Sequence, residues 1–201
     1  MGVVSSILDF RERSAMPTLV LVDLHDDRLP GAKLDPERAD IREALENCRA
    51  ALSYARQSGF PVAFVRHTPP APSFLATQAY PSWIRDIRPN RSEMIFERAM
   101  PSCYASSEFA QMARASRQLV LAGLFGETSC LSTLVEGYGQ NHYFVFLANA
   151  SVSRERAGLS ADEVHRGVAG IASLYSEVLS TDAWIERMSR RVGAANSTLT
   201  P

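Results

Sequence analysis

Asp23 closes an unbroken apolar run, Thr18 to Val22, and a carboxylate at the end of such a run is a candidate for handling protons or charge. Three more polar segments end or follow apolar runs of the same kind. They are Arg66-His67 after VAFV, Glu97-Arg98 after MIF, and Gly123 to Ser129 after QLVLA. A serine hydroxyl such as that of Ser129 acts as a nucleophile only beside a positioned base. Asp23 is available for that role. Arg98 is not, because a guanidinium keeps its proton, but it can pair with Asp23 or hold an anionic substrate by a bidentate contact.

These groups meet only if the runs that carry them are neighbouring strands. Residues 18–22 (TLVLV) are apolar at every position, as a parallel strand covered on both faces must be. Further strands are read at 61–66, 93–97, 118–122 and 143–148, and a short one within 174–179. Asp35-Pro36 reads as a helix start. Ile41, Leu45, Cys48, Ala51, Leu52 and Ala55 then recur at helical spacing up to Ser58-Gly59. His67 to Ser73 is a proline-rich loop, and 74–92 is irregular around Trp83. Ser106 or Ser107 opens a helix to about residue 116, and another helix runs from about 128 to 139. Ser160 and Glu163 form a capping-box pattern, and Asp182 starts a last amphipathic helix. Strands alternating with helices give an α/β fold: three layers around a doubly wound, mostly parallel sheet with right-handed crossovers. In such sheets the ligand site lies beyond the carboxyl ends of the strands, which gathers the four polar segments on one edge.

The 201 residues suit one domain over 1–201, with an arm at 1–16 and a flexible polar tail from 190. With 46% hydrophobic and 21% charged residues, the composition is that of an ordinary globular protein. A net charge of −1 without a basic stripe gives no reason to expect nucleic acid or an anionic membrane as partner. No apolar run reaches the ~18 residues that cross a bilayer. The N-terminus has neither a basic start nor a long apolar core, so a cytoplasmic location is expected. Cys48, Cys103 and Cys130 form neither a disulfide framework nor a zinc cluster, and no metal or other cofactor is expected.

Three spaced segments resemble the isochorismatase-like (cysteine hydrolase) superfamily. LVLVDLHDD, residues 19–27, is similar to its first-strand signature, with Asp23 on the catalytic aspartate and His25 and Asp26 where Gln and Asn are usual. In FERAMPSCYASSEF, residues 96–109, Arg98 falls on the catalytic lysine, Ser102-Cys103-Tyr104 on Ser-Ala-Phe, and Ser107 on a Ser/Thr. In AGLFGETSCLST, residues 122–133, Gly123 and Thr133 match without a gap, which sets Ser129 on the nucleophilic cysteine and Cys130 one place late. The resemblance spans roughly 18–185. It implies six strands in the order 3-2-1-4-5-6 and a homo-oligomer, a dimer or larger.

For chemistry, the resemblance implies an Asp–Lys–Cys machine in which two of three positions have changed. It implies a cis Leu124–Phe125 bond and an oxyanion site built from the N–H groups of Phe125 and Ser129. Its isochorismatase branch works without a thiol: an aspartate protonates a vinyl ether and water adds. The Leu124 to Glu127 segment is similar to that branch, with Glu127 in place of a histidine. The nicotinamidase metal ligands, Asp-x-His and a later His, have no counterpart between Asp27 and Phe74.

Each residue also has a plainer role. Ser129 is a good helix N-cap, Glu127 complements a helix N-terminus by charge, and Trp83 plugs a loop. Cys130 reads as a small buried hydrophobe pointing back toward the sheet, about 100° from Ser129 around a helix. His25, His67, Trp83, Glu127 and Cys130 stand as substrate-binding candidates beside Phe125. The leading functional reading is a hydrolase of a small metabolite that relies on Asp23 acid–base chemistry. The alternatives are an amidase or esterase with Ser129 as nucleophile, and a catalytically weak relative kept for ligand binding or assembly.

Overall fold

The computed structural model describes residues 16–25, 39–68 and 82–197, with side chains to residue 191. Asp35-Pro36, Asp26, Asp27 and most of the proline-rich loop lie outside these residues.

The strands are β1 (Thr18–Val22), β2 (Val62–His67), β3 (Met94–Arg98), β4 (Leu119–Gly123), β5 (Phe144–Ser151) and β6 (Glu177–Leu179). The helices are α1 (Ala39–Gln57), α2 (Ser107–Ala115), α3 (Leu131–Gly139), α4 (Ala161–Ala172) and α5 (Thr181–Ser197). All six strands are parallel, in the order β3-β2-β1-β4-β5-β6. That is the order the resemblance implies.

The alternation of side chains across the strands assigns the layers. Leu19, Leu21, Phe64, Val120 and Val145 face α1 and α5, whose Ala51, Leu52, Trp184 and Met188 share their core. Val20, Val22, Ala63, Val65, Leu121 and Phe146 face the other way, onto Phe109 of α2, Leu134 of α3 and Val168 of α4. Strands β1 and β4 are therefore covered on both sides, and every residue in them is buried. Each Leu or Phe so enclosed stabilises the fold by roughly 1.5–3 kcal/mol.

Local signals set several boundaries. Ser106, rather than Ser107, caps α2 by accepting from the Phe109 N–H at 3.4 Å. The Ser160–Glu163 capping box of α4 is present in both directions. Strand β5 runs on to Ser151, three residues past the expected end, because its tail pairs with Gly123 after a register shift. Helix α5 continues to Ser197, so the stretch from 190 to 197 that read as tail is helical.

Candidate active site

Asp23, Arg98 and Ser129 come from the ends of β1 and β3 and from the turn after β4, and the sheet order brings all three together. Asp23 leaves β1 in a left-handed conformation, φ 57°, with its N–H bonded to the Val65 carbonyl at 2.9 Å. Its Oδ1 accepts the His67 N–H at 3.1 Å. Its Oδ2 takes both the Ser129 hydroxyl, at 2.6 Å, and Arg98 Nη2, at 2.5 Å. The same Nη2 donates to Ser129 Oγ at 2.8 Å, so carboxylate, guanidinium and hydroxyl close a three-membered ring of contacts. Asp23, Arg98 and Ser129 are 3%, 3% and 4% exposed, so these contacts form where water screens little.

Arg98 is fully committed at its tip. Nη1 donates to the Met100 carbonyl at 2.6 Å, and Nη2 is shared between Asp23 and Ser129. Both Nη atoms of the guanidinium are thus engaged within the protein, which leaves only Nε without a partner and disfavours the bidentate grip on an anionic substrate that the sequence allowed. A buried carboxylate needs its cation, and Arg98 Nη2 supplies it.

The segment bearing Ser129 is a single π-helical turn, Gly126–Cys130, that runs directly into α3. Sequence spacing suggested a helix from Thr128, whereas the wider turn starts two residues earlier. It is pinned at several points. The Gly126 N–H bonds the Val152 carbonyl at 2.8 Å, and Thr133 Oγ1 donates to the Ser129 carbonyl at 2.7 Å while accepting the Cys103 N–H at 3.0 Å. Thr133 therefore ties the Ser129 turn to the loop that follows Arg98. Gly123 stands at the start of this segment with φ 134°, and a Cβ there would lie 2.1 Å from the Val22 carbonyl oxygen. Only glycine lets β4 approach β1 this closely.

The expected cis bond is not found: Leu124–Phe125 is trans, as is every peptide bond among the described residues. The chain turns instead through Phe125 itself, at φ 60° and ψ 55°. A guanidinium laid on the ring holds this residue, with Arg154 Cζ 4.4 Å from the ring centroid. Arg154 Nε and Arg156 Nη2 both bond Glu127 Oε1, at 2.8 and 3.3 Å, while Glu127 Oε2 is buried with no partner. Glu127 thus anchors the loop after β5 to the turn, beyond the simple complement to a helix N-terminus. Sequence reading missed Arg154 and Arg156. A charged pair in a polar loop gives no signal to distinguish it from a solvated one.

Cys130 does not face Asp23. Its Sγ lies 3.8–3.9 Å from the Gly123 and Leu124 carbonyls and 3.8 Å from Ser151 Oγ, fully buried. Burial pushes its ionisation well above the ordinary thiol range. Cys103, beside the ring of contacts, is pushed up to about 11, again by burial, with Arg98 opposing. His25 is buried and pairs through a β-bridge with Trp83. Trp83 packs edge-on against Phe64 at 5.3 Å and lies under Arg66 at 5.6 Å, on the sheet face opposite the Asp23 contacts. His67 joins the site through its backbone N–H, and it is the register partner of Arg98 across β2 and β3. Among the described residues, no three His, Cys, Asp or Glu side chains are grouped to hold a metal ion, and no helix is long and apolar enough to cross a membrane.

This strand order and edge site coincide with a family match. The isochorismatase domain model matches residues 17–183. The chain belongs to the isochorismatase family. A Burkholderia xenovorans structure assigned to the isochorismatases shares 25% identity over 86% of this chain and 87% of its own, with a TM-score of 0.71. A cysteine hydrolase from Pseudomonas syringae pv. phaseolicola shares 18% identity over 89% and 93% (TM-score 0.74), and the N-carbamoylsarcosine amidase of Thermoplasma acidophilum 19% over 83% and 97% (TM-score 0.63). No curated protein matches the sequence. The isochorismatase fold is a hydrolase fold in these relatives, and this chain carries it from β1 to α5.

Proposed function

We propose that this family member is a hydrolase of a small metabolite, with proton transfers running through Asp23 and no thiol at the reacting position. The observation that supports this reading is the shared oxygen, Asp23 Oδ2, on which the Ser129 hydroxyl and Arg98 converge at 2.6 and 2.5 Å. In a buried site a carboxylate so placed gives or takes a proton at the reacting atom. General acid–base catalysis of that kind contributes roughly 10²–10⁴-fold. Arg98 balances the charge of Asp23 and, through Nη2 on Ser129 Oγ, stabilises negative charge that develops there.

A second reading has specific support. The Ser129 O–H points at the carboxylate, which is the geometry of a nucleophile beside its base. On that reading Ser129 attacks an ester or amide carbonyl and carries the acyl group. The alternative of a weak relative kept for binding or assembly is what remains if no chemistry is found.

The test is hydrolysis of a panel: p-nitrophenyl acetate, a small primary amide and a simple vinyl ether, by wild type, Asp23→Asn and Ser129→Ala. Loss of turnover in Asp23→Asn supports the reading. An acyl adduct on Ser129, seen by mass spectrometry, selects the nucleophile over direct attack by water. Turnover that survives in Asp23→Asn sinks the proposal.

A further inference from the structure

Replacing lysine by arginine leaves the ring of contacts without a cation that can release a proton. Arg98 holds its charge at any working pH. Asp23, occupied by Ser129, Arg98 and the His67 N–H, accepts the proton of the attacking group, and a separate donor for the leaving group lets Asp23 keep that proton for the release of Ser129 Oγ. We infer that His67 is that donor: its imidazole carries the proton between the leaving group and water. This inference rests on the hydrolase reading above, taken with Ser129 as the nucleophile.

Three observations place His67 there. The first is its face of the sheet. Ala63 and Val65 point to the side of the sheet that holds Cys103 and Cys130, and His67 continues that alternation. The second is register: His67 is the direct partner of Arg98 across β2 and β3, so both side chains rise from the same face at adjacent positions. The third is what the ring lacks. His67 is half-buried, and its Nδ1 is sealed from solvent without a hydrogen-bond partner. Arg98 Nε, on the register-paired residue, is buried and unpartnered as well. Buried polar atoms are almost always paired, so two such atoms on register-paired residues point to a position that a polar ligand atom completes. The charged side chains that face His67 among the described residues are Asp23, from the end of β1, and Arg98, from β3; Arg66 and Glu97 pair on the opposite face.

The steps balance for an acyl compound RC(O)X. The Ser129 Oγ–H proton passes to Asp23 as the Oγ–C bond forms. The C–X bond breaks, and X leaves as HX with the proton of the His67 imidazolium. Water then attacks the acyl carbon and gives a proton to the neutral imidazole, and Asp23 returns its proton to Ser129 Oγ as the ester bond breaks. The net change is RC(O)X and water to RCOOH and HX. Histidine suits this exchange because its ordinary titration lies near neutrality.

The experiment compares two probes on the same protein. p-Nitrophenyl acetate releases a leaving group that departs without a proton, whereas the alkoxide of ethyl acetate must be protonated. His67→Gln should lose at least tenfold more kcat/KM on ethyl acetate than on p-nitrophenyl acetate, within the range expected of a general acid. A basic limb in the wild-type pH–rate profile on ethyl acetate should flatten in His67→Gln. The ratio of the two probes does not depend on the fraction folded, so a structural role would lower both equally. Equal losses, or none, overturn the role of His67 and leave the hydrolase reading standing. Absence of wild-type turnover on both esters removes the reading of Ser129 as an ester nucleophile and this role with it.

Discussion

Ser129 Oγ and Arg98 Nη2 sit 2.8 Å apart, and both rest on the same oxygen of Asp23. A buried carboxylate that loses its guanidinium keeps its charge in a medium that solvates it poorly. Arg98→Met should therefore destabilise the protein by about 3–5 kcal/mol. The double variant Arg98→Met/Asp23→Asn should recover part of that loss, because no unpaired charge remains. Urea denaturation of the three variants measures both effects. A double variant less stable than the sum of the singles contradicts the account.

Cys130 should be inert. In native protein, iodoacetamide should leave it unmodified at pH 8, because burial raises its ionisation far above that pH. Alkylation should appear only in denaturant. Cys130→Ala should cost packing, about 1 kcal/mol, and leave labelling elsewhere unchanged. Mass mapping of the adducts checks this, and rapid native labelling at Cys130 contradicts it.

Glu127 should matter for stability. It receives Arg154 and Arg156 on one oxygen of a largely buried carboxylate, so Glu127→Gln removes the charge that two guanidiniums share. The expected loss is about 1–3 kcal/mol, read as a lower thermal midpoint. If the midpoint does not move, the loop after β5 is held by other means.

Acid should find a different weak point. Arg187 and Tyr143 bond Glu177 and hold its pKa down to about 2 from an ordinary 4.5. A carboxyl depressed on folding stabilises the native state above its unfolded pKa and loses that contribution as pH falls. The Glu177 contribution should thus be complete above pH 4.5, fade toward pH 2 and vanish below it. The difference in unfolding free energy between wild type and Glu177→Gln should follow that curve. It should also shrink with added salt, since the pair is partly exposed. A difference independent of pH would show that the pair acts through packing alone.

Much of the scaffold was legible in residue order. The uniform apolar runs at β1 and β4 announced strands covered on both sides, and a polar residue at the end of each of several strands announced the edge where Asp23, Arg98 and Ser129 meet. The resemblance, through the ungapped match of Gly123 and Thr133, implied Ser129 rather than Cys130 against Asp23; Ser129 Oγ bonds Asp23 Oδ2, and Cys130 Sγ lies by backbone carbonyls. What stayed hidden depends on partners distant in sequence. That Arg98 spends its fork on Met100, Asp23 and Ser129 cannot be read from its spacing to Ser102. The trans, left-handed turn at Phe125 depends on Arg154, 29 residues later and in another loop. The π-helical turn depends on anchoring by Val152 and Thr133, which no local propensity encodes.

The ring of contacts at Asp23 also bears on how the chain reaches its native state. Its two links to Asp23 join residues 75 and 106 positions apart in sequence. Closing loops of that length is entropically costly and comes after local helices have formed. The parallel pairing of β1 with both β2 and β4 must be in place before carboxylate, guanidinium and hydroxyl can meet. A chain still emerging from synthesis, or one that has opened at a single strand, therefore carries these three groups apart from one another.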